Sequence, residues 1–318
     1  MSAVFEQEKA EPRSFTKKLS LHAVLPQQVL LGQLEGGLIA NPSEPISLLH
    51  AWEKANRAFA QCGPVSRVSL GPEDLQPVEE VEADEVESTL RRVRLYAPFD
   101  THGAALYDVN ISKLITPQIT VNVARAASRS VRPGMSAADI FRLAFEGIGK
   151  PDPITRQILS MHPNGASVLF TSFDEDVRLH HPPVYQDIPI NKRDEKSALL
   201  QAVCLPVGGG CGFIFAYRVE IGDGTKRLIL MNGIHRVYEL AKAGFQKVPV
   251  AVCDLRQMEL PDPIVDLPKQ LLLDPQLNPP LIADFLNEDV VLELDYFRVL
   301  RTVRLNWNFE QYATVVRA

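Results

Sequence analysis

The residues best suited to chemistry are Asn232, Gly233, His235 and Arg236, in the run Asn-Gly-Ile-His-Arg. An apolar run, residues 226–231, ends at this turn, and a helical pattern begins immediately after it. The first turn of a helix presents unpaired backbone N–H groups and the positive end of the helix dipole. A glycine there lets the backbone approach a ligand closely. His235 and Arg236 add donors and positive charge at the same place, so the spacing suits an anion or phosphate pocket. The same residues also have plain structural uses. Gly233 can serve the turn, His235 can bond a carbonyl, and Arg236 can pair with Glu239 three residues on. Spacing alone leaves both readings open.

Elements on either side must position this turn. Residues 213–221 alternate as a strand, Asp223-Gly224 is a hairpin signal, and 226–231 is the return strand. A helix follows over 234–243, closed by Gly244, then a strand over 248–253. Upstream, 44–61 reads as a helix capped by Ser43, with Pro45 in its first turn and Ile46, Leu49, Trp52 and Phe59 toward one face. Strands are expected at 91–96, 107–115 and 168–171, and helices at 136–147, 154–161 and 195–203. The helix at 136–147 opens on Ser136, with Asp139 in the reciprocal capping position. Past 254 the chain is rich in proline, followed by a short helix at 281–286. Two strands, 290–294 and 298–307, are expected to form a terminal hairpin. The fold class is therefore mixed α/β (α+β).

The 318 residues are 46% hydrophobic and 23% charged, which excludes a wholly disordered chain, a collagen and a coiled-coil rod. The formal charge is −6, which argues against coating nucleic acid by bulk charge. Residues 73–87 hold eight acids and no Lys or Arg; without those eight the charge moves from −6 to +2. The rest of the chain is thus near balance and leaves room for a local basic pocket. That acidic run has no calcium-loop pattern and reads as a solvated linker. None of Cys62, Cys204, Cys211 and Cys253 forms a C-x-x-C pair, so no zinc spacing is present and reduced thiols in a cytoplasm are expected, with no Cys204–Cys211 bridge. The opening residues are polar and charged, unlike a signal peptide, and no run of about 18 apolar residues suggests a membrane partner.

Residues 228–252 resemble the ParB/sulfiredoxin-like superfamily. The pattern is an apolar strand, an (Asp/Asn)-Gly-x-His-Arg turn, a helix of about ten residues, a Gly and a Val-Pro-Val strand. Here it is carried by Asn232, Gly233, His235, Arg236, Gly244, Val248, Pro249 and Val250. Residues 109–125 resemble the superfamily's opening strand, short helix and proline-containing loop. The resemblance implies a core over roughly 107–254, an insertion within 130–210, and phosphate contacts from Asn232, Gly233, His235 and Arg236. Ile234 stands where sulfiredoxins carry their catalytic Cys, which argues against that reductase chemistry. No helix-turn-helix pattern follows the core and no E-N-x-x-R motif is present, which argues against chromosome partition.

The remaining chemistry implied by the resemblance is phosphoryl transfer or nucleotide hydrolysis, with a nucleotide, magnesium and a carboxylate base. Glu239, Asp174, Glu175 and Asp176 are the catalytic candidates, and spacing assigns none of them. His180-His181 reads as a loop pair, not a metal site, and the GGGCG run at 208–212 lacks the Lys-Ser/Thr of a phosphate loop. The expected layout is a disordered tail (1–19), an N-terminal helical extension (20–63), an acidic linker (64–89), the ParB/sulfiredoxin-like domain (90–254) and a proline-rich, β-rich extension (255–318). The expected function is nucleotide or phosphate-ligand binding in the cytoplasm, catalytic or not. The alternatives are a non-catalytic protein-interaction or self-association module and, with nucleic acid as partner, a ParB-like nuclease.

Overall fold

The computed structural model describes residues 15–40, 45–62, 65–95, 102–148, 155–162, 165–173, 178–179, 184–189, 199–204, 207–208, 212–222, 224–260, 264–297 and 300–308. In chain order the elements are β1 (Phe15–Ser20), α1 (Gln27–Glu35), α2 (Pro45–Ala60), β2 (Leu75–Pro77), α3 (Ala83–Val93), β3 (Ala105–Asn110), β4 (Leu114–Ile115), β5 (Thr120–Asn122), α4 (Val123–Ala127) and α5 (Ala137–Phe145). Then come β6 (Thr155–His162), β7 (Gly165–Phe173), β8 (Arg178–Leu179), β9 (Val184–Pro189), β10 (Leu199–Cys204) and β11 (Val207–Gly208). The chain continues with β12 (Phe215–Glu220), β13 (Lys226–Asn232), α6 (Ile234–Lys242), β14 (Lys247–Leu255), α7 (Lys269–Leu273), β15 (Leu292–Phe297) and β16 (Leu300–Asn308). The class is mixed α/β. The chain divides into a larger unit, Met1–Gly149 with Gly212–Arg298, and a smaller one, Lys150–Cys211 with Val299–Ala318.

The larger unit is built on a six-stranded sheet of order β2-β3-β14-β12-β13-β4. Strand β14 lies inside it, antiparallel to β3 and parallel to β12, and Val248 through Cys253 are all buried. A near-continuous apolar run is what an interior strand requires. Pro249 is tolerated because pairing with β12 begins only at Ala251, so its missing N–H breaks no bond on that side. The hairpin at Gly224 joins β12 to β13 as the sequence predicts. Strands β13 and β14 flank β12 and run antiparallel to each other, so the connection through α6 leaves and re-enters at the same end of the sheet.

A second sheet, β15-β1-β5, belongs to the same unit. Here the tail expected over 1–19 is corrected at its end: Phe15–Ser20 is a strand with partners on both sides, while 1–14 lies outside the described residues. Its polar, charged residues are exposed or half-buried until Leu19 and Ser20, which hid the strand from a hydrophobicity reading. The 20–63 segment does carry α1 and α2. The stripe on α2 is Leu48, Trp52, Ala55 and Phe59, whereas Ile46 is exposed. The first three pack with Ala23, Leu30, Ile39, Leu292, Leu294 and Tyr296.

The acidic linker expected at 64–89 is also corrected. It supplies edge strand β2 and most of α3, which runs on to Val93, into the strand expected at 91–96. Asp84 and Glu85 lie in the first turn of α3 and Arg91 and Arg92 in the last, so the charge order suits the helix dipole. Thr89 and Val93, four residues apart, are its buried positions. Asp74, inside the acidic run, is buried and accepts from the Gly71 N–H (2.8 Å) and Asn110 Nδ2 (3.0 Å).

The smaller unit contains the sheet β16-β7-β6 and the antiparallel pairs β9/β10 and β8/β11. In place of the helices expected at 154–161 and 195–203, Thr155–His162 and Leu199–Cys204 are strands, because cross-strand pairing outweighs weak local propensity. The terminal hairpin is absent among the described residues: β15 pairs with β1 and β16 with β7, in different units. Ser43, Asp174, Glu175, Asp176, His180, His181 and Cys211 lie outside the described residues.

Candidate functional site

Gly233 is the N-cap of α6 and takes φ +99°, the left-handed region that favours glycine. A Cβ there would lie 2.7 Å from Ile214 Cγ1 and 3.1 Å from Ile214 Cα. The turn therefore needs glycine twice over, for its backbone angle and for its contact with the chain entering β12. Asn232, the last residue of β13, donates from Nδ2 to the Phe213 carbonyl and ties the turn to the same segment.

Arg236 is 7% exposed and donates from Nη1 to the Ala144 carbonyl at 3.1 Å. That carbonyl lies in the last turn of α5, where helical partners run out, and also accepts the Ile214 N–H at 2.9 Å. A cation at a helix C-terminus is favourable for the dipole as well. Arg236 thus bonds α5. Helix α5 starts as its sequence predicts: Ser136 Oγ accepts the Asp139 N–H at 3.1 Å and lies 2.8 Å from Asp139 Oδ2. Adjacent to this end, Gly147 N–H donates to the Gly212 carbonyl at 3.0 Å, an approach too close for a side chain at either position.

His235 accepts the Asn122 N–H on Nε2 at 3.1 Å. Asn122 also caps α4, its Oδ1 accepting the Arg125 N–H at 3.0 Å. One residue therefore fixes both the imidazole and the start of α4. Burial pushes the His235 pKa down to about 3, and the charges of Arg125, Arg129, Lys18 and Arg236 push in the same direction. These cations come from α4 (Arg125) and just beyond it (Arg129), from β1 (Lys18) and from α6 itself (Arg236). Lys18 Nζ also sits over the Tyr296 ring, 4.5 Å from its centroid, and Arg129 Nη1 lies 3.6 Å from Glu146 Oε1.

Glu239 is one turn along α6 from His235. Its Oε1 is buried without a hydrogen-bond partner, and Lys242 Nζ stands 3.9 Å away. Among the described residues no group of three or more His, Cys, Asp and Glu side chains is placed to hold a metal ion. Cys62 and Cys253 are free thiols, and burial raises the Cys253 pKa to about 12. No helix among the described residues is long and apolar enough to cross a membrane.

The structure thus brings Asn232, Gly233, His235, Arg236 and Glu239 onto one turn and one helix. It adds Lys18, Asn122, Arg125 and Arg129, which the sequence reading passed over. The four-residue spacing of Arg125 and Arg129 was the available signal, while Lys18 was hidden in the expected tail. No family model, no curated protein and no solved structure matches this chain.

Proposed function

We propose that this chain is a cytoplasmic, ParB/sulfiredoxin-like protein that binds a phosphate-bearing small molecule, a nucleotide in the first instance, at the N-terminal end of α6. The observation that carries the reading is the set of cations around His235: Lys18, Arg125, Arg129 and Arg236 all act on one imidazole. Like charges gathered at a helix N-terminus lower one another's stability, and a bound anion relieves that repulsion. The backbone at Gly233 supplies close approach. His235 and Arg236 have bonds within the fold, so their first role is to build the pocket wall, and Lys18, Arg125 and Arg129 supply the longer-reaching charge.

A phosphotransferase or hydrolase activity rests on Glu239, the carboxylate nearest the turn along the helix, as base. Magnesium, when bound, supplies charge neutralisation at the phosphates, held by the phosphate oxygens and at most a carboxylate or two. The non-catalytic interaction module is the second reading. It is favoured by the structural bonds of His235 and Arg236 and would leave protein association as the function. A nuclease with a nucleic-acid partner fits the chain's charge of −6 less well.

Thermal unfolding with ATP, ADP, inorganic phosphate and pyrophosphate, with and without magnesium, tests the proposal. A ligand of the native state raises Tm by mass action, with about 2.7 kcal/mol of stabilisation at a hundredfold excess over Kd. The shift should shrink in Lys18→Ala and Arg125→Ala, and Glu239→Gln should bind normally while losing any turnover. Absence of a shift with every ligand, from folded protein, overturns the proposal in favour of the interaction module.

A further inference from the structure

We infer that His235 meets the anion as a neutral imidazole, through its Nδ1–H, and that Asn122 is the positioning residue that holds it in that tautomer. The inference rests on the anion-site reading above for its ligand, and on the geometry alone for its tautomer. A backbone N–H can only donate, so the Asn122 N–H at 3.1 Å requires a lone pair on Nε2. A neutral ring with a lone pair on Nε2 carries its proton on Nδ1. Among the described residues Nδ1 has no hydrogen-bond partner, so its N–H is the donor left for a ligand.

The charges facing the ring oppose a second proton. Lys18 comes from β1, Arg125 and Arg129 from the α4 side, and Arg236 from its own helix. Glu239 is the acid one turn along α6, with Lys242 beside it, and Glu146 is directed to Arg129. From the 282–286 turn that packs on α6, Asp284 is tied to Arg67. Attraction for the anion then comes from the fixed cations, and the imidazole contributes direction rather than charge. Affinity for a ligand of constant charge should therefore not follow a histidine titration. An imidazolium site of ordinary pKa would instead lose affinity as pH rises through about 6.5.

Asn122 is the position to perturb. Its φ of −76° suits proline, and Val121 before it is in a strand, so Asn122→Pro removes the N–H within an accommodating backbone. Asn122→Ala keeps the N–H and loses only the α4 cap, and it serves as the control. The first readout is the ring nitrogen shifts of His235 in the full chain, identified by their loss in His235→Gln. The second is sulfate binding by calorimetry between about pH 5.5 and 8, since sulfate stays a dianion throughout.

Wild type and Asn122→Ala should show protonated Nδ1 and unprotonated Nε2 across the range, with sulfate affinity flat to within about twofold. Asn122→Pro should show a mixture of the two tautomers. An Nε2–H tautomer or an imidazolium in the wild type overturns the inference. So does a sulfate affinity that falls about tenfold per pH unit above 6.5. If sulfate binds at no pH, the anion-site reading fails, and the nitrogen shifts alone decide the tautomer.

Discussion

At the scale of single residues, burying an imidazole is costly chiefly in its charged form, and His22 is buried alongside His235. Its Nδ1 contacts Ser20 Oγ and its Nε2 lies 2.9 Å from Gln33 Oε1, which also accepts from Tyr296 Oη at 3.2 Å. Gln33 Oε1 cannot donate, so the His22 proton sits on Nε2, the opposite tautomer to His235. Burial lowers the His22 pKa to about 4, with the Gln33 bond opposing the shift. The unfolded chain then binds the proton more readily than the folded one. Stability is full above about pH 6.5 and falls toward pH 4, by about 3 kcal/mol from this residue. Denaturant unfolding at pH 7 and pH 4.5 should show that loss, and His22→Asn should show a shallower one. Of these features the sequence displayed the Asn-Gly turn and the His-Arg pair after it, because Asn-Gly is strongly tied to backbone geometry. The positive charge expected of His235 is corrected, since burial and the surrounding cations keep its ring neutral. The tautomers were not legible. They depend on partners at 11 and 113 residues' separation, which no local pattern encodes.

Elements here are fastened to one another by buried charged groups. Asp284 accepts from Arg67 Nη1 (2.8 Å) and Nη2 (3.0 Å) and also from the Leu281 N–H (2.8 Å). Arg67 Nε reaches Asn278 Oδ1 at 2.7 Å. This pair joins the 65–68 turn, next to α2, to the 282–286 turn that packs on α6. Asp284→Ala leaves a guanidinium buried without its carboxylate and a turn without its cap. The expected cost is about 3–5 kcal/mol, read as a lower denaturation midpoint. Replacing Arg67 and Asp284 together by Met and Leu should cost less than Asp284→Ala alone, since neither charge is then left behind. The sequence reading found elements whose local signals agree with their surroundings: α2, α5, α6 and the β12–β13 hairpin. It failed where context overrode composition. The acids of α3 look like a linker until their order along the helix dipole is seen, and β10 looks helical until β9 lies beside it.

At the scale of the whole molecule, Lys150–Cys211 and Val299–Ala318 form a compact unit of their own, and the Gly147–Gly212 hydrogen bond lies within the larger unit. The smaller unit carries the sheet β16-β7-β6, with β6 and β7 from its first segment and β16 from its second. Replacing 150–211 with a short Gly/Ser linker and ending the chain at 298 should leave the larger unit folded. The expected result is one cooperative melt and an unchanged response to nucleotides, while loss of cooperative melting would mean that the larger unit is not autonomous. The sequence could not reveal that the smaller unit borrows β16, because β7 and β16 meet across more than a hundred residues of chain. A similar long-range closure governs the N-terminal layer, where β1 pairs with β15 and the apolar cluster under α1 and α2 is completed by Leu292, Leu294 and Tyr296. During synthesis on the ribosome, residues 23–55 emerge long before those three, so their apolar face stays uncovered for most of translation. Nascent chains stalled before residue 290 should accordingly be held by chaperones or aggregate, and those carried past 297 should be released.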